Sequence, residues 1–187
     1  IAPPVSAFAS DEDSDAVASP VEADATALSS DASQFTDVNE SEWYWTDGWV
    51  PYALDTGLMS GYRNADGTTT TFGPYDAVTR GQVAVILHRY ELGTDGSDID
   101  NNVATRFPDV PAGQYYSAAV SWASENGLVT GYNDGEWAGM FRPDAPVSRE
   151  ELAVMIARYA GFKTTGQAVG PAADDTVLTS LIGWNTA

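Results

Sequence analysis

The chain has 187 residues, of which 27 are acidic and only 8 are Lys or Arg, so its formal net charge is −19. Phosphate neutralisation needs clustered basic side chains, so this charge argues against nucleic acid as a partner, and an anionic chain gains nothing from an acidic membrane surface. The absence of Cys excludes disulfides and thiolate metal sites, and no apolar run has the length of a membrane span.

The N-terminal part of the chain, residues 1–34, is predicted to be a disordered acidic segment. Residues 10–34 are mainly Ser, Ala and acidic groups, and such a stretch buries too little apolar surface to offset the entropy of ordering it. Residues 1–9, IAPPVSAFA, end in a small–x–small pattern like a signal-peptidase site, which predicts a signal-peptide remnant. The alternative is a chance Ala-rich end of a disordered tail.

Two later stretches follow the same order of landmarks, which predicts a tandem repeat. Residues 35–93 contain FTDV, WYW, ALDTGLMSGY, FGP and VTRGQVAVILHRY. Residues 107–161 contain FPDV, YY, AVSWASENGLVTGY, FRP and VSREELAVMIARY. The polar residues 94–106 are the expected linker. In such architectures each unit buries its apolar face on a neighbour.

The C-terminal residues 162–187 are predicted to hold a linker and an incomplete third copy. They begin as a Gly- and Ala-rich loop and then place apolar residues at the spacing of a helix face. These residues are Leu178, Leu181, Ile182 and Trp184.

Each complete unit is predicted to fold as helix–loop–helix, which makes the protein mainly α. The first helix ends at Gly57 or Gly127, where a glycine supplies a left-handed cap. The second helix is predicted to pack through one apolar face. The residues of that face are Val83, Ile86, Leu87 and Tyr90 in the first copy and Leu152, Met155, Ile156 and Tyr159 in the second.

The start of each second helix combines a capping signal with an unexpected arginine. In VTRGQ (78–82) and VSREE (147–151), a hydroxyl residue and a Gln or Glu three positions later predict a capping box. Arg80 and Arg149 fall in the first helical turn, where the helix dipole disfavours a cation by a few tenths of a kcal/mol. An anionic partner is therefore expected at each arginine.

Taken in order, these motifs resemble the S-layer homology repeat over about residues 35–161. The motifs are FxDV, an aromatic pair, Ala-x-x-x-Gly-(Leu/Ile)-x-x-Gly-Tyr, a DG turn, Phe-x-Pro and (Thr/Ser)-Arg-x-(Glu/Gln). The resemblance implies a bundle of three repeats with pseudo-threefold symmetry, exported to the surface of a bacterium. Three departures are that Gln82 replaces the motif Glu, Ser148 replaces Thr, and the third copy is incomplete.

The resemblance also implies a ligand and a site. Such domains bind secondary cell-wall polysaccharide non-covalently, often through a pyruvate ketal, in grooves between neighbouring repeats. A ketal carboxylate suits the planar fork of an arginine at a helix N-terminus. The predicted polysaccharide-binding residues are Arg80, Arg149, Gly61, Gly131, Asp37, Asp109, Trp43 and Tyr115.

The same residues have structural alternatives. The two arginines would equally serve as ion-pair partners of Asp37 and Asp109, or of a carboxylate in another repeat. Most aromatic residues of the WYW and YY motifs are expected in the interface core. His88, the only histidine, stands where the other copy has Ala157 and is expected at the surface or its boundary.

No catalytic or metal site is predicted. Without Cys, and with one His, no nucleophile–base pair can be assembled, and acidic residues are too abundant to nominate a glycosidase. Asn64-x-Asp66-Gly67 resembles part of a calcium loop, but Tyr62 and Gly73 stand where carboxylate ligands belong, so a turn is expected. We expect no cofactor.

The sequence therefore predicts a secreted, non-catalytic module that anchors an exported protein to bacterial cell-wall polysaccharide, without nucleic acid or membrane insertion. One alternative is a self-associating surface-layer protein, in which another chain covers the apolar face of the incomplete third repeat. A second alternative is the targeting module of a cell-surface enzyme whose catalytic part lies outside this chain.

Overall fold

The computed structural model describes residues 30–165, and most of the described residues in regular structure are helical. The predicted signal-peptide remnant and the predicted third repeat lie outside the described residues. The helices are α1 (Trp43–Thr46), α2 (Trp49–Asp55), α3 (Arg80–Leu92), α4 (Ser117–Glu125) and α5 (Arg149–Thr165). The described part contains two repeats, so the pseudo-threefold arrangement stays a prediction. No helix within it is long and apolar enough to cross a membrane.

The first helix of each repeat ends as predicted but begins differently. In the first repeat it is divided into α1 and α2 by Gly48, whose φ of 81° is left-handed. In the second repeat α4 is continuous. Gly57 and Gly127, with φ of 71° and 70°, follow α2 and α4, which confirms the predicted glycine caps.

A small hairpin in the first repeat was not predicted. Strands β1 (Tyr62–Arg63) and β2 (Thr69–Thr71) pair antiparallel, and the turn between them is closed by a 3.0 Å hydrogen bond from Gly67 N–H to Asn64 O. Strands of two and three residues are too short to show an alternating pattern in sequence. The corresponding region of the second repeat instead holds a 3₁₀ helix, Gly135–Trp137.

Both predicted capping boxes are confirmed. Gln82 N–H donates to the Thr79 hydroxyl (3.3 Å), and Thr79 N–H donates to the Gln82 side chain (2.8 Å). The second box uses Ser148 and Glu151 with distances of 3.2 and 2.9 Å. Each box satisfies N–H groups that have no partner inside the helix, so α3 and α5 begin where local sequence places them.

The main core consists mostly of residues of the second repeat, and α3 of the first repeat packs against its α4 and adds Val83 and Ala84. Val120, Leu128 and Phe141 are fully buried there. Their buried neighbours include Val83, Ala84, Phe107, Val110, Tyr116, Ala119, Ala123, Val129, Met155 and Tyr159. A separate contact in the first repeat joins the rings of Phe35 and Phe72, whose centroids are 5.7 Å apart.

The packed faces of the second helices differ from the prediction. Tyr90 and Ile156 were expected to be buried but are 56% and 51% exposed. His88, expected near the surface, is only 7% exposed, and its ring lies 4.9 Å from that of Trp122 on α4. The buried face of α3 follows residues 80, 84 and 88, so it includes two polar side chains that an apolar pattern does not select.

The end of the predicted acidic spacer is ordered. Ala32–Gln34 form a 3₁₀ helix, and Asp31 caps it by accepting a 2.8 Å hydrogen bond from Ser33 N–H. Ala32 is 3% exposed, so this small side chain packs despite its polar neighbours. Regular structure is thus present before the FTDV motif, within the predicted spacer.

Candidate functional site

The two repeats meet where the N-terminus of α3 contacts the loop that precedes α5. The backbone N–H of Arg80 donates to Ala145 O (3.0 Å), and that of Gly81 donates to Pro143 O (2.8 Å). First-turn N–H groups have no acceptors within their own helix. At this junction the second repeat provides the acceptors.

The Arg80 side chain is enclosed by the second repeat and is only 7% exposed. Its Nε donates to Phe141 O (2.8 Å), and its Nη1 lies 2.7 Å from Glu151 Oε1. The guanidinium carbon lies 4.8 Å from the centroid of the Tyr132 ring and 4.9 Å from that of Phe141. A carboxylate, a carbonyl and two aromatic faces therefore offset the cost of burying a cation in a first helical turn.

Glu151 connects the capping box to this arginine. It accepts hydrogen bonds from Ser148 N–H (2.9 Å) and from the Tyr132 hydroxyl (2.6 Å), in addition to Arg80. Burial alone would raise the pKa of Glu151, but these hydrogen bonds and the Arg80 charge hold it below its ordinary value. The carboxylate is thus kept ionised, and it fixes the position of the arginine.

Arg149, the matching arginine of the second repeat, has different surroundings. It is exposed at the first turn of α5, and its side chain forms no hydrogen bond or ion pair with any residue in the described range. The described residues place no loop of another repeat against this helix start. The two motif arginines are therefore equivalent in sequence but not in the structure.

The FxDV aspartates organise the Phe-x-Pro loops. The N–H groups of residues 72–73 donate to the Asp37 carboxylate over 2.9 and 2.8 Å, and those of residues 141–142 donate to Asp109 over 3.0 and 2.6 Å. Among the described residues neither motif arginine pairs with these aspartates, but the other structural alternative, a carboxylate of another repeat, is present at Arg80 through Glu151. A direct contact of the aspartates with a glycan stays a prediction.

Gly61 and Gly131 allow the backbone to pass through crowded space. Their φ angles are 75° and 73°. A Cβ on Gly61 would lie 2.6 Å from Thr71 O, and one on Gly131 would lie 2.6 Å from Phe107 Cε1 and 2.7 Å from Met140 O. A close backbone approach is thus present at both positions, whereas their ligand contacts remain a prediction.

Each aromatic pair has one buried and one exposed ring. Tyr44 and Tyr116 are each 6% exposed, as expected for interface core, but Trp43 and Tyr115 are 64% and 54% exposed. The exposed ring meets its buried neighbour edge to face, with centroids 6.1 Å apart in the first pair and 4.9 Å in the second. Trp43 and Tyr115 are thus held on the surface, where an aromatic face can contact a sugar.

A pocket of about 670 Å³ opens beside the junction. Gly61 from the first repeat and Tyr115 from the second both line it, so the structure brings these two predicted site residues together. The other six predicted residues are not part of its lining. The lining also contains many hydrogen-bonding side chains, those of Ser60, Tyr62, Arg63, Asp76, Gln82, His88, Arg89, Asp95, Ser97 and Asn101.

Two arginines that the prediction missed, Arg63 and Arg89, line this pocket, and Arg89 is the more enclosed of them. Arg89 is half-buried and donates to Gly57 O over 3.1 Å. Burial lowers the pKa of Arg89, and the nearby Asp95 carboxylate partly opposes that change. The sequence feature that could have identified Arg89 is its recurrence as Arg158 in the second copy.

The residues that bind Arg80 were also missed. Tyr132, Phe141 and Glu151 each recur in the first copy, as Tyr62, Phe72 and Gln82. That recurrence is visible in sequence, but it cannot show that these residues receive a side chain from the neighbouring repeat.

Comparison with known protein families gives two matching regions. The S-layer homology domain matches residues 34–84 and 106–153, which together exceed half of the chain. The chain therefore belongs to the S-layer homology domain family, as its motifs predicted.

Similar proteins include three larger bacterial proteins. An endoglucanase of Bacillus sp. (strain KSM-635) is 33% identical over 129 residues, which cover 69% of this chain and 12% of that protein. A cellulosome-anchoring protein of Acetivibrio thermocellus is 30% identical over 88 residues, covering 47% and 19%. Cell surface glycoprotein 1 of the same organism is 27% identical over 135 residues, covering 68% and 5%. The chain thus corresponds to a small part of each relative.

Proposed function

We propose that this chain is a non-catalytic module that anchors an exported protein at the bacterial cell surface by binding secondary cell-wall polysaccharide non-covalently. The observation that carries the proposal is the pocket at the junction of the repeats, where Gly61 and Tyr115 meet. Family membership supports the proposal, as do relatives that are named an anchoring protein and a cell surface glycoprotein.

The pocket offers the groups that a sugar requires. The exposed Tyr115 ring provides a flat surface for the apolar face of a pyranose, while Gln82, Asn101 and Arg89 offer hydrogen bonds to its hydroxyl groups. About 670 Å³ is in the range of small-ligand sites, so one or two sugar units would fit. The glycan then lies across both repeats.

The proposal assigns different roles to the two motif arginines. Arg149 is exposed, and its guanidinium is free to form a bidentate contact with an anionic substituent such as a pyruvate ketal. Arg80 is engaged by Glu151 and Phe141 O, so we assign it to holding the repeats in register rather than to the main anionic contact. Trp43 provides a second exposed aromatic surface.

The proposed module serves a larger protein. The matched part of the endoglucanase relative is 12% of that protein, which favours a targeting segment that accompanies a separate cargo. A catalytic cargo outside this chain is therefore compatible with a non-catalytic role for the chain itself.

Co-sedimentation with purified Gram-positive cell walls tests the proposal. Walls are used before and after hydrofluoric acid removes their secondary polysaccharide. We expect binding to untreated walls and loss of binding after treatment. Equal binding to both preparations would identify peptidoglycan as the target and contradict the proposal, and absence of binding to either would reject wall anchoring.

A further inference from the structure

Two exposed aromatic rings of the first repeat rest on one buried ring. Trp43 is 64% exposed and Tyr75 is 77% exposed, whereas Tyr44, which contacts both, is 6% exposed. Each exposed ring meets Tyr44 edge to face, with centroid distances of 6.1 Å for Trp43 and 6.0 Å for Tyr75. The aromatic platform formed by these three side chains therefore holds two large ring faces in water at fixed positions.

The second repeat does not form this platform. It keeps one exposed and one buried ring, Tyr115 and Tyr116, but has Asp144 where the first repeat has Tyr75. Its Phe-x-Pro loop nevertheless makes the same backbone contacts with the aspartate of the FxDV motif. The repeat fold therefore does not require an aromatic ring at the position of Tyr75.

The surroundings of the platform are acidic. Residues 31–62 include six carboxylates and no Lys or Arg. Partial desolvation raises the pKa of the Tyr75 hydroxyl, and the nearby Glu42 carboxylate adds to that rise. Among the described residues, the rings that carry an arginine all belong to the second repeat, at Phe107, Tyr132, Trp137 and Phe141. Because an anionic group would be repelled at the platform, an uncharged ligand is expected there.

Uncharged hexopyranose units suit the groups at this surface. One face of a pyranose ring is apolar and packs on an aromatic ring, while its hydroxyl groups donate to carboxylates and amide oxygens. An open depression of about 430 Å³ adjoins the platform and is lined by Asn39, Glu40 and Ser41. The backbone N–H of Asn39 donates to the Tyr44 hydroxyl over 3.3 Å, which links the depression to the buried ring.

The loop of residues 72–76 connects the platform to the pocket at the junction of the repeats. Three residues of this loop line the pocket, whereas Tyr75 is absent from the lining and contacts Tyr44 instead. The two surfaces therefore lie on different sides of one short loop. A polymer that leaves the pocket across this loop reaches the Tyr75 ring.

We propose that the aromatic platform is a second subsite for the wall polysaccharide, which binds uncharged hexopyranose units of the polymer on Trp43 and Tyr75. The polymer extends from the pocket across residues 72–76, and the platform adds affinity that does not depend on the charge of the polymer. This inference rests on the proposed function, because it assigns a further part of the same ligand.

A titration with a β-linked N-acetylglucosamine pentasaccharide, followed by NMR, tests the platform with an uncharged probe. We expect the wild type to bind the probe weakly. Trp43→Ala and Tyr75→Asp should each weaken binding about fivefold or more, because each variant removes one stacking ring. Tyr75→Asp introduces the residue that the second repeat has at this position, so the loop should still form.

Two further variants serve as controls. Trp43→Tyr introduces the ring that the second repeat has at this position, so it should keep most of the binding. Trp137→Ala removes an exposed tryptophan of the second repeat and should bind the pentasaccharide like the wild type. Circular dichroism and melting curves establish that all variants are folded.

Calorimetric titration of released wall polysaccharide, at low and at high salt, tests whether the platform and the pocket bind the same polymer. Trp43→Ala should weaken binding by the same factor at both salt concentrations, because stacking on an uncharged sugar is not screened. The effect of Arg149→Ala should be smaller at high salt, because it removes a charge.

Pentasaccharide binding that is absent, or that is unchanged in Trp43→Ala and Tyr75→Asp, would overturn the inference, as would an unchanged affinity of Trp43→Ala for the polysaccharide. The anchoring role would still stand if the wild type bound the polysaccharide and Arg149→Ala weakened that binding. A wild type that binds the pentasaccharide but no released polysaccharide would contradict the anchoring role, and with it the continuation from the pocket to the platform.

Discussion

Arg80 and Glu151 are 71 residues apart in the sequence, yet their side chains meet with 2.7 Å between Nη1 and Oε1. The arginine comes from the capping motif of the first repeat and the glutamate from that of the second. The motif starts a helix in both repeats. In the first repeat it also provides the arginine, and in the second repeat its glutamate binds that arginine. Arg149, at the equivalent position to Arg80, has no such partner among the described residues.

Replacing the two arginines should therefore affect stability unequally. Arg80→Ala leaves Glu151 without its cation and Phe141 O without its donor, and we expect the free energy of unfolding to fall by about 2–4 kcal/mol. Arg149→Ala removes an exposed side chain and should change it by less than about 0.5 kcal/mol. Denaturant unfolding of both variants measures the difference. Equal losses of unfolding free energy in the two variants would contradict a structural role for Arg80 that Arg149 lacks.

His88 should make stability depend on pH near neutrality. It is buried against Trp122, and burial lowers its pKa. The folded state then favours the neutral ring, so its contribution is complete above the unfolded pKa of about 6.5 and is lost as pH falls through the folded pKa. The wild type should lose more stability between about pH 7 and about pH 5 than His88→Phe, which keeps an aromatic ring without a titrating group.

Denaturant unfolding across this pH range measures that difference, and the comparison with His88→Phe cancels the titration of groups that both proteins share. If the two stability curves run parallel, His88 does not titrate differently in the folded and unfolded states.

Gly131→Ala should destabilise the second repeat. The left-handed φ of 73° costs a residue with a Cβ about 1–3 kcal/mol, and the new Cβ would also meet Met140 O and the Phe107 ring. Gly135→Ala is a matched control for backbone conformation, because its φ is 70° but no atom lies within 4 Å of the added Cβ. Equal melting temperatures for the two variants would show that the contacts of the added Cβ with Met140 O and Phe107 do not contribute to the destabilisation.

Asp109→Asn should destabilise the loop whose Phe141 carbonyl accepts a hydrogen bond from Arg80. The carboxylate accepts from two backbone N–H groups, of residues 141 and 142, and an amide can accept only one of them through its oxygen. We expect a loss of about 1–3 kcal/mol in the free energy of unfolding. Asp134→Asn, an exposed change in the same repeat, should be close to neutral. A neutral Asp109→Asn would contradict the structural role of this motif residue.

Features set by neighbouring residues were predictable from the sequence, whereas contact between repeats was foreseen only as an alternative, the pairing of a motif arginine with a carboxylate of another repeat, without the residues involved. The capping boxes and the glycines that end α2 and α4 depend on a few adjacent residues, so their motifs were sufficient. The burial of Arg80 and His88 depends on how α3 docks on α4 and on the loop before α5. No local sequence pattern shows how these elements dock. The spacing of apolar residues also does not predict a buried helix face that includes Arg80 and His88.

The predicted site residues do not all lie together, because their positions also depend on how the two repeats pack. Gly61 and Tyr115 share a pocket only because the linker and α4 fold back on the first repeat. Asp37 and Asp109 were selected as motif residues, but the sequence could not show that their carboxylates already bind backbone N–H groups. Repetition identified the important positions, and the structure separated those that hold the repeats together from those that are exposed.

The most direct test of the account is a titration of released wall polysaccharide into the chain by calorimetry, at protein concentrations where sedimentation shows monomer. We expect Arg149→Ala to weaken binding about tenfold or more, because it removes a charge-assisted bidentate contact, while its melting temperature stays that of the wild type. Lys163→Ala should bind like the wild type. Equal affinities for all three proteins would contradict the claim that the exposed motif arginine contacts the polysaccharide.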